Sequence, residues 1–333
     1  VFFTVGGLVS YLVFAEKTGN KVLSATLILK AKGLIGIIAV TLIVVIPILI
    51  YKTNILPSKA NYATTRAIVR GWNGDFDGAV KKYKESLSYD VPGKYEYRHR
   101  FAQYLVGEGG PSVKEAKVRD IYLFALKEIE KNIQENPIDY LPYLYASRLN
   151  IMLGQHDPKS TYNDEALKHS LKALELAPRF VRTYFEIAQA HLNKKDHPSA
   201  IKYFKKAVDL NPEVGISHWY LGVAMVESGD KDGIKNMEKS LEVENRYSPS
   251  EQDLFRLLDI YVENKNFAKI ALTFEMLVAK NPKNPQYFAS LAAAYANLGR
   301  FDDSLAIARK AVQIDPSYEM EARLFLKSIG KEL

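Results

Sequence analysis

Cysteine is absent from all 333 residues, so the chain can build neither a disulfide nor a thiolate metal site. No stretch alternates apolar and polar residues with the period of two that strands require. Acid is scarce at the start: residues 1–59 hold six lysines and one carboxylate, Glu16. The chain as a whole carries a formal charge of +7, and +5 of it sits in that segment. The basic excess therefore marks lysines beside apolar runs. It is no sign of a nucleic-acid surface, which needs basic residues clustered on the folded domain. Phosphate-binding loops are missing as well. The glycine-rich turn at 107–110 lacks the Lys-Ser/Thr that a phosphate cradle requires, and it reads more simply as a helix–helix connection. The six histidines are scattered, with no metal-ligand spacing and no Ser/His/Asp set. No catalytic residue, cofactor or metal is expected.

What is present is a recurrence. Pro178 to Pro212 spans 34 residues, and Pro282 to Pro316 spans 34 again. Pro212 to Pro282 is two such units with two residues added, and Pro137 to Pro178 is one unit plus seven. Each proline follows a helical run of the form Ala-x3-aromatic-x2-Ala. The best copy has Tyr184, Ile187, Ala188 and His191 on one helix face, then Ala200, Phe204 and Ala207, then Pro212. Small residues let two helices approach closely, the aromatic fills the space beside them, and proline ends the second helix. This resembles the tetratricopeptide repeat, a pair of antiparallel helices that buries its apolar face only against its neighbours. The fold class expected is all-α. It is a tetratricopeptide-repeat superhelix over residues 60–333, of about six helix pairs closed by a capping helix at 318–331. The seven extra residues fall in a turn at 156–163, and 246–250 reads as a short linker. His191, at a position usually held by tyrosine, is expected to be packed and hydrogen-bonded.

Ahead of the repeats, residues 33–51 are uncharged and flanked by Lys32 and Lys52. Nineteen residues of helix rise about 28 Å, close to a bilayer core of about 30 Å. A buried core helix is the alternative, but a solenoid has no thick core to hide one. Residues 1–15 are also uncharged and too short to span. The membrane segment 1–59 is thus expected as a truncated span at 1–15, a turn at 16–32, a span at 33–51 and a linker at 52–59. Lysines on both sides of the span leave its orientation nearly tied.

The inner face of such an array is lined by the first helix of each pair. By register the candidate partner groove is Arg182, Phe185, Gln189 and Asn193, then Trp219 and Glu227, then Phe255, Asp259 and Glu263, then Gln286 and Asn297. Arrays that grip a C-terminal carboxylate place Lys and Asn at the fifth and ninth positions. Here the fifth positions are Phe185, Trp219, Phe255 and Ala289, which argues against that ligand. Three aromatics suit an apolar peptide or a sugar face, or else they pack against neighbouring helices. Arg98-His99-Arg100 reads as a solvated basic face, with lipid-headgroup or glycan-phosphate contact as the alternative.

The segment Thr65-Arg66-Ala67, the run 73–79, the run 83–89, Arg98 and Gln103 directly follow the predicted span. This arrangement resembles the C-terminal part of bacterial O-antigen ligase-like membrane proteins that carry a tetratricopeptide tail. The resemblance implies glycosyl transfer from a lipid-linked donor, without metal or nucleotide. It implies a multi-pass protein of the inner membrane with the repeats on the extracytoplasmic side. The family's catalytic arginines and histidine would precede residue 1, so none maps here and this stretch is expected not to be catalytic itself. The partner is then a protein, a peptide or a glycan acceptor. A non-enzymatic membrane-anchored scaffold or assembly factor is the alternative.

Overall fold

A computed structural model describes residues 25–107, 113, 115–155, 157–244 and 246–333. The truncated span expected at 1–15, the first part of the turn expected after it, and residues 108–110 of the glycine-rich turn lie outside the described residues. Among the described residues every regular element is a helix.

The first is α1 (Ala25–Ile50), followed by a π-helical turn (Tyr51–Ile55) and α2 (Leu56–Trp72). Two sequence expectations change here. Residues 25–32, expected as a turn, are helical, and so are residues 52–59, expected as a linker. No glycine interrupts 37–70. Pro57 cannot donate to the turn before it, and the widened π turn just upstream accommodates its ring.

The repeats follow as α3 (Phe76–Ser88), α4 (Lys94–Val106), α5 (Ala116–Glu135), α6 (Tyr140–Gly154) and α7 (Thr161–Leu176). Then come α8 (Val181–Asn193), α9 (His197–Leu210), α10 (Gly215–Glu227) and α11 (Gly233–Lys239). The last are α12 (Glu251–Glu263), α13 (Phe267–Lys280), α14 (Pro285–Asn297), α15 (Phe301–Ile314) and, after a 3-10 turn (Pro316–Tyr318), α16 (Glu319–Ser328). Taken two at a time from α2, these make seven pairs and a terminal helix, one pair more than the proline spacing suggested. The extra pair comes from the degenerate copies, where α4 and α5 lack the Ala-x3-aromatic signature.

The corner inside the pair is built the same way five times. The N–H of Asp75, Asp196, Asp230, Asn266 and Arg300 donates at 2.9 Å to the carbonyl five residues earlier, on Arg70, His191, Met225, Tyr261 and Tyr295. The residue before each donor has positive φ: Gly74, Lys195, Gly229, Lys265 and Gly299. This left-handed residue satisfies the orphan carbonyls at the helix end. At three of the five the donor residue then caps the next helix. Asp75 Oδ1 accepts from the Gly78 N–H, Asp196 Oδ1 from Ser199 and Asn266 Oδ1 from Lys269.

Packing divides the chain into two compact units. One is residues 1–212 with 220–237, and the other is 213–219 with 238–333. The division falls in the copy that lost its proline, whose second helix α11 is only seven residues long.

In the first unit the core runs through Tyr83, Phe101, Tyr122, Ile129 and Leu149, each almost fully buried. Burial of such a side chain contributes about 1.5–3 kcal/mol. Ala200 is fully buried among Phe185, Phe204 and Leu221, the close helix approach its register predicted. Gly222 and Gly233 touch, and a Cβ on Gly222 would meet the Gly233 carbonyl oxygen at 2.5 Å. The 156–163 insertion is stapled by Asn163, whose amide donates to the carbonyls of Gly154 and Asp157.

In the second unit Leu254, Leu257, Tyr261 and Leu277 are buried between α12 and α13. Ala292, Ala308 and Leu326 join α14, α15 and α16. The Ser304 hydroxyl donates to the Ala292 carbonyl at 2.8 Å, satisfying a polar group that no water reaches.

Candidate partner-binding surface

The predicted groove residues have two different fates. On α8, Arg182 is exposed but Phe185 is buried, edge-on to Phe204 and Tyr220 with centroids 5.5 and 5.4 Å away. Beside it Glu186 has no exposure at all. Its carboxylate accepts from Arg182 Nε at 3.3 Å and from Arg148 Nη1 at 3.5 Å. Arg148 also lies over the Phe185 ring. Asn193 reaches back one repeat and donates to the Ile151 carbonyl at 3.0 Å and to Asn163 Oδ1 at 3.2 Å. Gln189 donates weakly to Asn193. This face is committed to holding helices together. Glu227 is exposed, its carboxylate 4.0 Å from His197 Nδ1.

Trp219 is fully buried and packs on Tyr247 at 5.0 Å. Phe185 and Trp219 therefore present no ring to a partner, and a strip of three exposed aromatics with Phe255 does not exist. The physical reason is local. At the fifth position of α8 and α10 a large neighbouring aromatic, Phe204 or Tyr247, closes over the ring.

The second unit keeps its predicted face open. Phe255 is 42% exposed, leaning edge-on against Tyr287 at 6.0 Å. Asp259 and Glu263 follow it at one-turn spacing on α12, both exposed. On α14, Gln286 is exposed and accepts a hydrogen bond from the Tyr318 hydroxyl at 3.0 Å. Asn297 is bonded to its own helix, donating to the Ala293 carbonyl. Between α14, α15 and α16 lies a cleft of about 210 Å³, lined by Gln286, Ala289, Ser290, Ala293, Tyr318 and Phe325. Register reasoning reached Gln286 and Ala289. It missed Ser290, Tyr318 and Phe325, which lie outside the positions that register assigns to the inner face. Tyr287 donates to Glu251 Oε2 at 3.0 Å, and burial followed by that hydrogen bond pushes its pKa up. It stays a neutral donor.

The Arg98–Arg100 stretch is not one solvated basic face. Arg98 is buried, its guanidinium 2.6 Å from Glu135 Oε1 and 3.1 Å from Asn132 Oδ1, with Glu128 at 3.4 Å. His99 packs edge-on against Tyr145. Only Arg100 is exposed, paired with Glu96 at 2.6 Å. Three consecutive helical residues point 100° apart, so a run of bases need not share a face. His191 is packed and bonded as expected. It stacks on Tyr203, and its Nδ1 lies 3.0 Å from Asp196 Oδ2. Burial lowers its pKa, with Asp196 opposing. Among the described residues no group of three or more His, Asp or Glu side chains is placed to hold a metal ion.

Residues 255–319 match the tetratricopeptide-repeat family, and residues 141–216 match the family described as regulator of microtubule dynamics protein 1-3. The chain is similar to Hsp70-Hsp90 organizing protein 2 of Arabidopsis thaliana, 24% identical over 170 residues. That match covers 46% of this chain and only 27% of the relative. It is also similar to photosystem I assembly protein Ycf3 of Prochlorococcus marinus, 25% identical over 125 residues, 33% of this chain and 72% of that one. Among solved structures it is similar to YrrB, described as a repeat protein with an unusual peptide-binding site. Identity there is 21% and the TM-score 0.40, over 60% of this chain and 97% of YrrB. The paired helices, the five identical corners and the family match agree that the chain carries a tetratricopeptide-repeat domain, a module for binding other proteins.

Proposed function

We propose that this is a membrane-tethered interaction module that holds a protein or peptide partner against the open face of its second unit. The observation that carries the tether is one helix. Gly36–Trp72 is continuous, with a mean hydropathy of 2.2 over its most apolar 18 residues, and none of that window is buried in the protein. An apolar surface of that length left bare in water would be costly, and a bilayer satisfies it. The helix enters the first repeat without a break, so the tether also orients the domain.

The chemistry of the open face favours a partner segment that is apolar with basic flanks. Phe255 offers the anchor, and Asp259 and Glu263 the charge. Phe at the fifth position of α12 and Ala at that of α14 leave no pair of bases for a terminal carboxylate. The finer reading makes the domain the accessory tail of an O-antigen ligase-like protein, on the extracytoplasmic side, placing an acceptor for a lipid-linked glycan. It rests on the wording of residues 65–103 alone. The scaffold reading draws on the names of two relatives, one an organizing protein and one an assembly protein.

The test uses the full chain in membranes. It is expected to resist carbonate extraction and to retain a partner that is lost in Phe255→Ala with Asp259→Lys. Recovery of the partner by that variant would sink the site, and carbonate release would sink the tether. Removing 60–333 from the chain in its native host is expected to lower glycan transfer if the ligase reading holds. Unchanged transfer would favour the scaffold.

A further inference from the structure

At the C-terminal ends of α2 and α4, with α3 behind them, the first unit holds an open pocket of about 440 Å³. Ligand clefts run from about 300 to 1,000 Å³. Its walls are aromatic. Trp72 is 82% exposed, and the Tyr83 and Tyr104 rings stand 5.4 Å apart. A Cβ on Gly71 would meet the Tyr104 ring at 2.6 Å, so glycine gives that ring its place against α2.

The polar groups of the pocket are donors. Tyr83 is 2% exposed and lines the pocket, and its hydroxyl has no hydrogen-bond partner among the described residues. A buried O–H without an acceptor is costly. Burial pushes its pKa up to about 12, and burial raises that of Tyr104 as well, so both hydroxyls stay protonated. The Tyr104 hydroxyl, the Gln103 amide and the Trp72 indole N–H are equally without partners among the described residues. Arg100 spends its Nε on Glu96 at 2.6 Å, which cancels its charge and leaves its terminal N–H groups. No Asp or Glu is among the described residues that line the pocket.

We propose that this pocket binds a proline-rich segment of a partner protein in the extended polyproline II form. The donor inventory selects the occupant. Proline has no N–H, and a polyproline II segment makes no internal hydrogen bonds, so its backbone offers free carbonyls and no donors. Those carbonyls satisfy the Tyr83 and Tyr104 hydroxyls and the amide and guanidinium beside them. The proline rings lie on the aromatic faces, as in other aromatic-lined grooves for such segments. The segment is already extended before it binds, so little ordering entropy is lost. A sugar brings hydroxyl donors that need acceptors, and the lining holds no carboxylate to supply them. An anion needs a net positive charge, and Glu96 has cancelled the one base. The pocket shares no residue with the face around Phe255, so the proposal stands whether or not the second unit binds its own partner.

The test is fluorescence anisotropy on the full chain in mild detergent, with labelled decaproline as probe and an equally labelled glycine-serine decapeptide as reference. Decaproline is expected to bind saturably and the reference not to bind. Trp72→Ala and Tyr104→Ala are each expected to weaken binding at least about tenfold, as aromatic anchors do. Tyr83→Phe keeps the buried ring and removes only the hydroxyl. It is expected to weaken binding about fivefold while the melting temperature stays the same or rises, because an unpaired buried donor has been taken away. Four results would overturn the proposal. The first is no saturable binding of decaproline at millimolar concentration, or equal binding of the reference. The second is decaproline binding that all three variants leave unchanged. The third is a lower melting temperature in Tyr83→Phe, which would give the hydroxyl to the fold. The fourth is displacement of decaproline by maltohexaose or by hexaglutamate at equal concentration, which would make the pocket a sugar or an anion site.

Discussion

Helices α8 and α12 hold the same place in their repeats, yet one is closed and the other open. On α8 the fifth residue, Phe185, is covered by Phe204 and Tyr220, the sixth, Glu186, is a buried carboxylate, and the thirteenth, Asn193, is bonded into the preceding repeat. On α12 the fifth, ninth and thirteenth residues, Phe255, Asp259 and Glu263, are all exposed. Repeat register tells which residues share a face. What the neighbouring repeat brings to that face decides whether it is free to bind. A large aromatic or an arginine on the neighbour converts a binding position into a joint.

The comparison breaks most visibly at Glu186. Replacing it with alanine strips the buried counter-charge from Arg148, whose side chain is 20% exposed, and from the more exposed Arg182. Breaking a buried pair from one side costs about 3 kcal/mol. Asp259→Ala on α12 is expected to stay within about 0.5 kcal/mol, as for an unburied surface group. Urea unfolding of both variants measures the contrast. Equal midpoints would mean that α8 is no more committed than α12.

Small residues sharpen it next. Ala200 is fully buried between helices of the first unit, and Ala289 lines the cleft of the second. Ala200→Leu overpacks a filled space and is expected to cost about 1–3 kcal/mol. Ala289→Leu grows into open volume and is expected to leave stability nearly unchanged while weakening partner binding. A thermal melt and a pull-down on each variant give the two readouts. A strong loss of stability at Ala289 would show that the cleft is closed in solution.

The corners allow a finer comparison, since Lys195 and Lys265 stand where Gly74, Gly229 and Gly299 do. A side chain in the left-handed region is strained, while glycine there is not. Lys195→Gly and Lys265→Gly are each expected to stabilise the chain by about 0.5–1 kcal/mol, and Gly299→Ala to destabilise it by a similar amount. Opposite signs in denaturant melts are the check.

The fold was largely legible because two devices repeat visibly: a proline every 34 residues and small residues flanking one aromatic. The corner was half legible, since Gly74, Gly229 and Gly299 stand out but a lysine in the same geometry carries no sequence mark. Sequence alone puts Arg98 at the surface, because basic side chains are exposed by default. Its burial depends on Glu128, Asn132 and Glu135, which lie more than a helix away in sequence. The groove differs from its register for the same reason. Register makes Phe185 and Trp219 face residues, but their cover, Phe204 and Tyr247, comes from other elements, and register is silent about depth. Phe255 escaped because no aromatic closes over it, only the edge of Tyr287.

Acid should separate the two faces by the smallest effect. His99, His169 and His191 all lie in the first unit, and in each case burial is the first cause lowering the pKa from its usual 6.5. Glu96 and Asp139 oppose the shift at His99, Glu165 at His169 and Asp196 at His191, without reversing it. A depressed histidine binds its proton more readily in the unfolded chain. Stability from these groups is therefore complete above about pH 6.5 and is lost as pH falls from there toward their folded values. Unfolding followed at Trp72, which belongs to the first unit, should shift to lower denaturant between pH 7 and pH 5. Unfolding followed at Trp219, which belongs to the second, should move less. The chain has only these two tryptophans, so replacing either with phenylalanine isolates the other's fluorescence. In a chain that also carries His191→Gln the Trp72 transition should lose part of its pH dependence. If both transitions shift together and His191→Gln changes neither, the units unfold as one and the half-buried imidazoles do not set the acid limit.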